Sequence, residues 1–270
     1  MLDLKLEGKR ALVTGGSSGI GESIARTLAR QGASVVVHGR NQKRAERVAD
    51  EIKQQGGRAS VALGDLARPV EADRVVTQTI EALGAIDILV NNAGGADEGM
   101  KPWLETSAEQ WQKTFEQNVF SAVRLIRALV PPMKKKGWGR VIQIASSVAV
   151  QPFPFGPDYA ASKAAIVNLS VGLAKDLAGT GITVNTVSPG PILTPAAERV
   201  FRGIAKQQGW GEDWPEIERQ AVKNLVPNPV GRIGSVEEVA AAVAFLSSPL
   251  ASYINGANLR IDGGFVTATN

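Results

Sequence analysis

Hydrophobic residues in this chain follow two alternating patterns. Short continuous runs rich in β-branched residues occupy Arg10–Thr14, Ala33–His38, Ala59–Leu63, Ile86–Asn91, Arg140–Ala145, Ile182–Val187 and Ala257–Ile261. Between them, apolar positions recur at helical spacing over Gly19–Gln31, Gln42–Gln55, Pro69–Leu83, Ala108–Val130, Asp158–Ala178 and Val236–Ser247. Runs such as Ala11-Leu-Val, Val35-Val-Val and Ile88-Leu-Val have no polar alternate, as expected of strands covered on both faces. The alternation predicts βαβ units and an α/β fold of the doubly wound, Rossmann type. We expect a parallel sheet of about seven strands, with helices on both faces, in a single domain over 1–270. The rhythm breaks at 195–229, which carries Trp210, Trp214 and flanking prolines. This segment reads as an insertion of two short helices, serving as a substrate lid or as surface and subunit packing.

Composition narrows the chemistry. The 270 residues are 44% apolar and 21% charged, enough for a sizeable core and incompatible with global disorder. No cysteine is present, which excludes disulfides, thiolate metal sites and cysteine nucleophiles. The single histidine, His38, leaves little for a histidine metal cluster or a Ser-His-Asp triad, so no metal is expected. The net charge of +4 is scattered, with Lys134–Lys136 the densest basic run, and no nucleic-acid partner is expected. The N-terminus lacks an apolar signal core, and the longest uncharged stretch, Leu177–Ala197, holds three prolines and three glycines. Neither reads as a leader or a membrane span, and a cytoplasmic location is expected.

The first strand runs into Thr14-Gly-Gly-Ser-Ser-Gly-Ile-Gly21 and then directly into a helix. Glycines at 15, 19 and 21 allow a sharp turn and close backbone approach. The helix N-terminus offers free N–H groups and partial positive charge to a diphosphate. Absence of a following Gly-Lys-Ser/Thr excludes a P-loop. The second strand ends in His38-Gly39-Arg40-Asn41, without the carboxylate that holds a ribose 2′-hydroxyl in NAD-binding units. Arg40 suits a 2′-phosphate, which favours NADP(H) and leaves NAD(H) possible. Tyr159 and Lys163 stand four apart on a predicted helix and therefore share a face. A neighbouring ammonium and the positive charge of an oxidised nicotinamide would favour the phenolate, making Tyr159 a candidate general acid/base.

Taken in order, Thr14-Gly-x-x-x-Gly-x-Gly21, Asp65-Leu66, Asn91-Asn-Ala-Gly94, Asn118, Ser146, Tyr159-x-x-x-Lys163 and Pro189-Gly190 resemble the short-chain dehydrogenase/reductases over essentially the whole chain. Within that family the chain looks like the 3-oxoacyl-carrier-protein reductase-like members. The resemblance implies an oxidoreductase moving a hydride between a nicotinamide cofactor and a small carbonyl/alcohol substrate. It implies a catalytic set of Asn118, Ser146, Tyr159 and Lys163, in which Lys163 also binds the nicotinamide ribose and Asn118 holds a water linked to Lys163. Ser147 competes with Ser146 for the serine role. Cofactor contacts implied are Gly15, Ser17, Ser18, Gly19, Ile20, Gly21 and Arg40 on the phosphate and ribose side. Asp65, Leu66, Asn92, Ala93 and Gly94 follow around the adenosine, with Pro189, Gly190, Ile192 and Thr194 beside the nicotinamide.

The family also implies a homotetramer built on the two long helices and the last strand. The pocket is expected between Gly95–Trp103, Val148–Asp158 and the insertion, with Trp103, Trp210, Trp214 and Gln151-Pro-Phe-Pro-Phe-Gly-Pro157 offering apolar walls. Two departures stand out: Ser18 occupies a place that is basic in many NADP-using members, and Ile254-Asn-Gly256 replaces the usual Ile-Thr-Gly. Readings that remain open are an NAD-dependent alcohol or sugar dehydrogenase and a cofactor-binding regulator without turnover.

Overall fold

A computed structural model describes residues 3–96 and 100–268. Seven strands, β1 (Arg10–Val13), β2 (Ser34–Gly39), β3 (Arg58–Leu63), β4 (Ile88–Asn91), β5 (Gly139–Ile144), β6 (Ile182–Pro189) and β7 (Asn258–Ile261), form one sheet in the order β3-β2-β1-β4-β5-β6-β7. Every pairing is parallel. The helices are α1 (Gly19–Arg30), α2 (Gln42–Gln54), α3 (Pro69–Leu83), α4 (Ala108–Phe115), α5 (Ser121–Lys136), α6 (Pro157–Asp176), α7 (Pro195–Gln208), α8 (Trp214–Asn224) and α9 (Val236–Leu246).

Burial on both strand faces explains the unbroken apolar runs. Along β1, Ala11 and Val13 enter a core beneath α1, α2 and α9, while Leu12 enters a second core beneath α3, α5 and α6. The chain leaves β1 toward β3, then returns past β1 to β4 and continues to β7. The reversal opens a crevice beyond the C-terminal ends of β1 and β4, where ligands bind in sheets of this kind. The segment 195–229 contains two helices, α7 and α8, outside the sheet layers. None of the helices among the described residues is long and apolar enough to cross a membrane.

The expected helix over Ala108–Val130 is not continuous. A π-helical turn at Glu116–Phe120 separates α4 from α5, and α5 runs on to Lys136 through Pro131 and Pro132. Proline cannot donate to the carbonyl four residues earlier. Here those carbonyls belong to Arg127 and Ala128, on the exposed side of α5, where a lost donor costs less than it would in the core. The buried stripe of Leu125, Ile126, Leu129, Val130 and Met133 therefore continues across the prolines.

Candidate active site

The loop after β1 is shaped by close contacts that only glycine permits. A Cβ on Gly21 would stand 2.2 Å from the Gly15 carbonyl oxygen and 2.4 Å from Asn92 Nδ2. Asn92 in turn donates to the carbonyls of Thr14 at 2.8 Å and Gly15 at 3.3 Å. Thr14 Oγ1, fully buried, accepts from the N–H groups of Asn92 and Ala93 at 2.9 and 2.8 Å. The ends of β1 and β4 are thereby locked together. No side chain at Ser18 caps α1, so the N–H groups of its first turn stay available to a ligand.

These elements border a cleft of about 660 Å³. Gly15, Ser17, Ser18, Gly19, Ile20 and Gly21 line it from one side, Asp65, Leu66, Asn92, Ala93 and Gly94 from the segments after β3 and β4, and Thr194 from the start of α7. Arg40 lines the end beyond β2. Arg44, one helical turn on in α2, lines it too. Both guanidinium groups are exposed and have no hydrogen-bond or ion-pair partner among the described residues. Arg47, also on the cleft, is instead paired with Glu22 and Glu51.

His38 lies at the floor of the cleft and is buried. Its Nδ1 accepts from the Gly15 N–H at 3.1 Å, so the proton resides on Nε2, which donates to the Gly64 carbonyl at 3.0 Å. Burial pushes its pKa down to about 4, and the neutral ring is the form that makes both bonds.

Outside the lining of this cleft, Ser146 follows β5, and its hydroxyl lies near enough to the Tyr159 phenol to lower the phenol's pKa. Ser147 is buried instead. Lys163 Nζ donates to the Ile144 carbonyl at 2.9 Å and lies 5.7 Å from the centre of the Tyr159 ring. Burial pushes the Lys163 pKa down to about 8. Burial also raises the Tyr159 pKa, and the nearby Ser146 hydroxyl pulls it only partly back. The phenolate expected from the lysine's proximity is therefore not favoured by the protein alone. Tyr159 is a neutral phenol, suited to giving a proton.

Asn118 sits inside the π turn. Its Oδ1 accepts from the Gly95 N–H at 2.9 Å, and its Nδ2 donates to the Gly95 carbonyl at 3.1 Å and to Ser162 Oγ at 2.9 Å. A Cβ on Gly94, whose φ is 144°, would stand 2.5 Å from Asn118 Oδ1. The asparagine thus fastens the segment after β4 to α6.

The sequence model for short chain dehydrogenases matches residues 9–205. The chain belongs to the short-chain dehydrogenase family. The 3-oxoacyl-[acyl-carrier-protein] reductase of Escherichia coli (strain K12) is 36% identical over 97% of this chain and 98% of its own. L-Sorbose reductase from Gluconobacter frateurii, solved with NADPH and L-sorbose, matches with a TM-score of 0.93 at 36% identity, covering 99% of this chain and 100% of that one. A 7α-hydroxysteroid dehydrogenase solved with NADH and 7-oxo glycochenodeoxycholic acid matches with a TM-score of 0.86 at 38% identity, covering 99% and 98%. This short-chain dehydrogenase is accordingly an oxidoreductase that works with a nicotinamide cofactor. The cradle fits one: small residues, free N–H groups and unpaired cations face a single cleft.

Not every expected contact of this short-chain dehydrogenase reaches that cleft wall. Gly190 is pinned to β7 by its N–H bond to the Ile261 carbonyl at 2.9 Å. Pro189 is buried at the end of β6. Ile192 is buried as well and lines a separate cavity of about 100 Å³ with Asn228, Arg232 and Asp262. Thr194 alone of the group lines the cleft, and its Oγ1 caps α7 by accepting from Ala197 N–H at 3.1 Å.

Of the segment Gly95–Trp103, residues 97–99 lie outside the described residues. Trp103 is 64% exposed and packs on Trp111, while Trp214 meets Phe201 edge-on. Phe153 stacks on Phe155 at 5.2 Å and tilts against Phe265 at 5.7 Å. Arg44, Gln117 and Arg199 line the cleft without having been singled out in the sequence. The spacing of Arg44 from Arg40, across the helix-capping Asn41, was the signal available for the first.

Proposed function

We propose that this enzyme interconverts a carbonyl and an alcohol with NADP(H), with Tyr159 moving the proton. The nicotinamide supplies or accepts the hydride. Tyr159, with its raised pKa, protonates the substrate oxygen in reduction. Ser146, whose hydroxyl lies beside the phenol, orients that oxygen. Lys163 holds a positive charge beneath the ring and provides the ribose contact. Asn118 keeps the post-β4 segment against α6.

The observation that carries the NADP(H) reading is the pair of unpaired guanidiniums, Arg40 and Arg44, on the cleft beyond β2. A 2′-phosphate satisfies both through charge-assisted hydrogen bonds. Titration with NADPH and with NADH, followed by nicotinamide fluorescence at fixed salt, tests it. NADPH is expected to bind tighter, and Arg40→Ala to weaken NADPH roughly 10- to 100-fold with little effect on NADH. Equal or tighter NADH binding by the unmodified enzyme would overturn the preference and favour alcohol or sugar oxidation with NAD.

On the substrate side, the stack of Phe153, Phe155 and Phe265 supports an apolar or mixed carbonyl compound. We read α7 and α8 as a lid, because Pro195, Ala196 and Arg199 at the start of α7 line the cleft. Unchanged kinetics in Trp210→Ala would count against it. A homotetramer is supported by apolar side chains left open near β7, Leu250, Tyr253 and Leu259, and by Leu104 and Phe120 beside α4 and α5. Light scattering giving the mass of one chain would refute it.

A further inference from the structure

We propose that His38 is a positioning residue for the cofactor's diphosphate, acting through the Gly15 N–H that it holds. The inference rests on the nicotinamide-cofactor reading of the cleft. β2 lies between β1 and β3, and the His38 ring at its end reaches the loop after each neighbour. Nδ1 takes the Gly15 N–H at 3.1 Å, and Nε2–H meets the Gly64 carbonyl at 3.0 Å. The backbone of His38 adds a third tie, its carbonyl accepting from Gly16 N–H at 2.8 Å. Three successive strand ends are thus held by one residue.

Two consequences follow for the ligand. The Gly15 N–H is committed to the imidazole, so the phosphate-facing donors are those of the α1 first turn. The loop is also fixed before the ligand arrives, which lowers the ordering cost of binding. Burial keeps the ring neutral, and the charges nearest it, Asp65 beyond β3 and Arg40 beyond β2, oppose one another.

Side-chain geometry supplies a test that separates the two bonds. Asparagine places an amide oxygen where Nδ1 stands, whereas glutamine extends to the Nε2 position. His38→Leu is expected to raise the Kd for NADPH and NADH alike by about tenfold, because the diphosphate is common to both. His38→Asn should retain the affinity within about threefold, since it restores the Gly15 bond, and His38→Gln should behave like His38→Leu. Turnover at saturating cofactor should fall less than affinity does.

Unaltered Kd values in His38→Leu, with only a lower Tm, would overturn the proposal and leave a purely structural clamp. Should that variant not fold, nitrogen-15 NMR of the unmodified protein still decides. The expected result is an Nε2–H tautomer with a slowly exchanging Gly15 amide; an Nδ1–H tautomer would overturn it. Failure of the NADP(H) reading looks different, since it appears as NADH binding at least as well as NADPH in the unmodified enzyme.

Discussion

Lys163 donates its ammonium to the main-chain carbonyl of Ile144, the last residue of β5. Ser146 follows Ile144 by two residues, and Tyr159 precedes Lys163 by one helical turn in α6. This hydrogen bond therefore ties the strand end that carries the serine to the helix that carries the tyrosine. The cost is a buried cation with no carboxylate partner among the described residues, which is why its pKa falls to about 8.

That cost predicts a gain in stability when the lysine is removed. Lys163→Met should abolish most activity yet raise Tm by about 3 °C at pH 7, the relief of desolvation exceeding the lost hydrogen bond by roughly 1 kcal/mol. The sign with pH is fixed: the folded pKa of about 8 lies below the ordinary 10.5, so between those values the unfolded chain binds more protons. Wild-type stability gains from this group as pH rises through that window. The advantage of Lys163→Met should shrink from pH 7 to pH 10 in thermal melts; a constant difference would contradict it.

Tyr159→Phe removes the proton donor and leaves the ring. Turnover should drop roughly 10²- to 10⁴-fold while NADPH affinity changes little, as read by steady-state rates and fluorescence titration. Retention of more than a tenth of the activity would assign the proton to another group.

The two adjacent serines should separate cleanly. The Ser146 hydroxyl acts on the phenol's pKa, whereas Ser147 is buried. Ser146→Ala is expected to lower kcat/KM about 10- to 100-fold with Tm unchanged, the loss of one hydrogen bond to the reacting oxygen. Ser147→Ala is expected to act chiefly on Tm, and the reverse pattern would exchange their roles.

At the opposite end of the sheet, Asp87 is buried between Arg10 and Lys136. Burial would raise its pKa, but the bonds from Arg10 and Lys136 win and lower it. Asp87→Asn should cost about 2 kcal/mol, less than the roughly 3–5 kcal/mol of a fully buried pair, because both cations reach solvent. Its folded pKa is depressed, so this contribution is complete above the ordinary value of 3.8 and is lost as pH falls through the folded value. Acid melts of the two proteins should converge at low pH.

How much of this was legible in the sequence depends on how local the cause is. The seven strands appear in the sequence because each is buried on both faces, and the glycine loop because close backbone approach excludes any Cβ. The run of α5 past Pro131 and Pro132 was not legible, since it depends on which side of the helix faces water. Arg44 was passed over because a lone arginine on a charged helix looks like solvated surface until the fold places it beside Arg40. The state of His38 required knowing that strands β1 and β3 flank β2, a fact of topology and not of pattern.

The π turn at Glu116–Phe120 has a consequence for insertions and deletions. One surplus residue rotates α4 by about 100° relative to an unbroken continuation of α5. That rotation aims Thr114 at Asp158 and Asn118 at Gly95 while the face of α5 stays on the sheet. Deleting any single residue of the turn would yield a more regular helix with those two anchors swung out of reach. The chain at this point keeps an irregularity that its own helical propensity would remove, and shortening it by one residue should damage the enzyme more than most substitutions there.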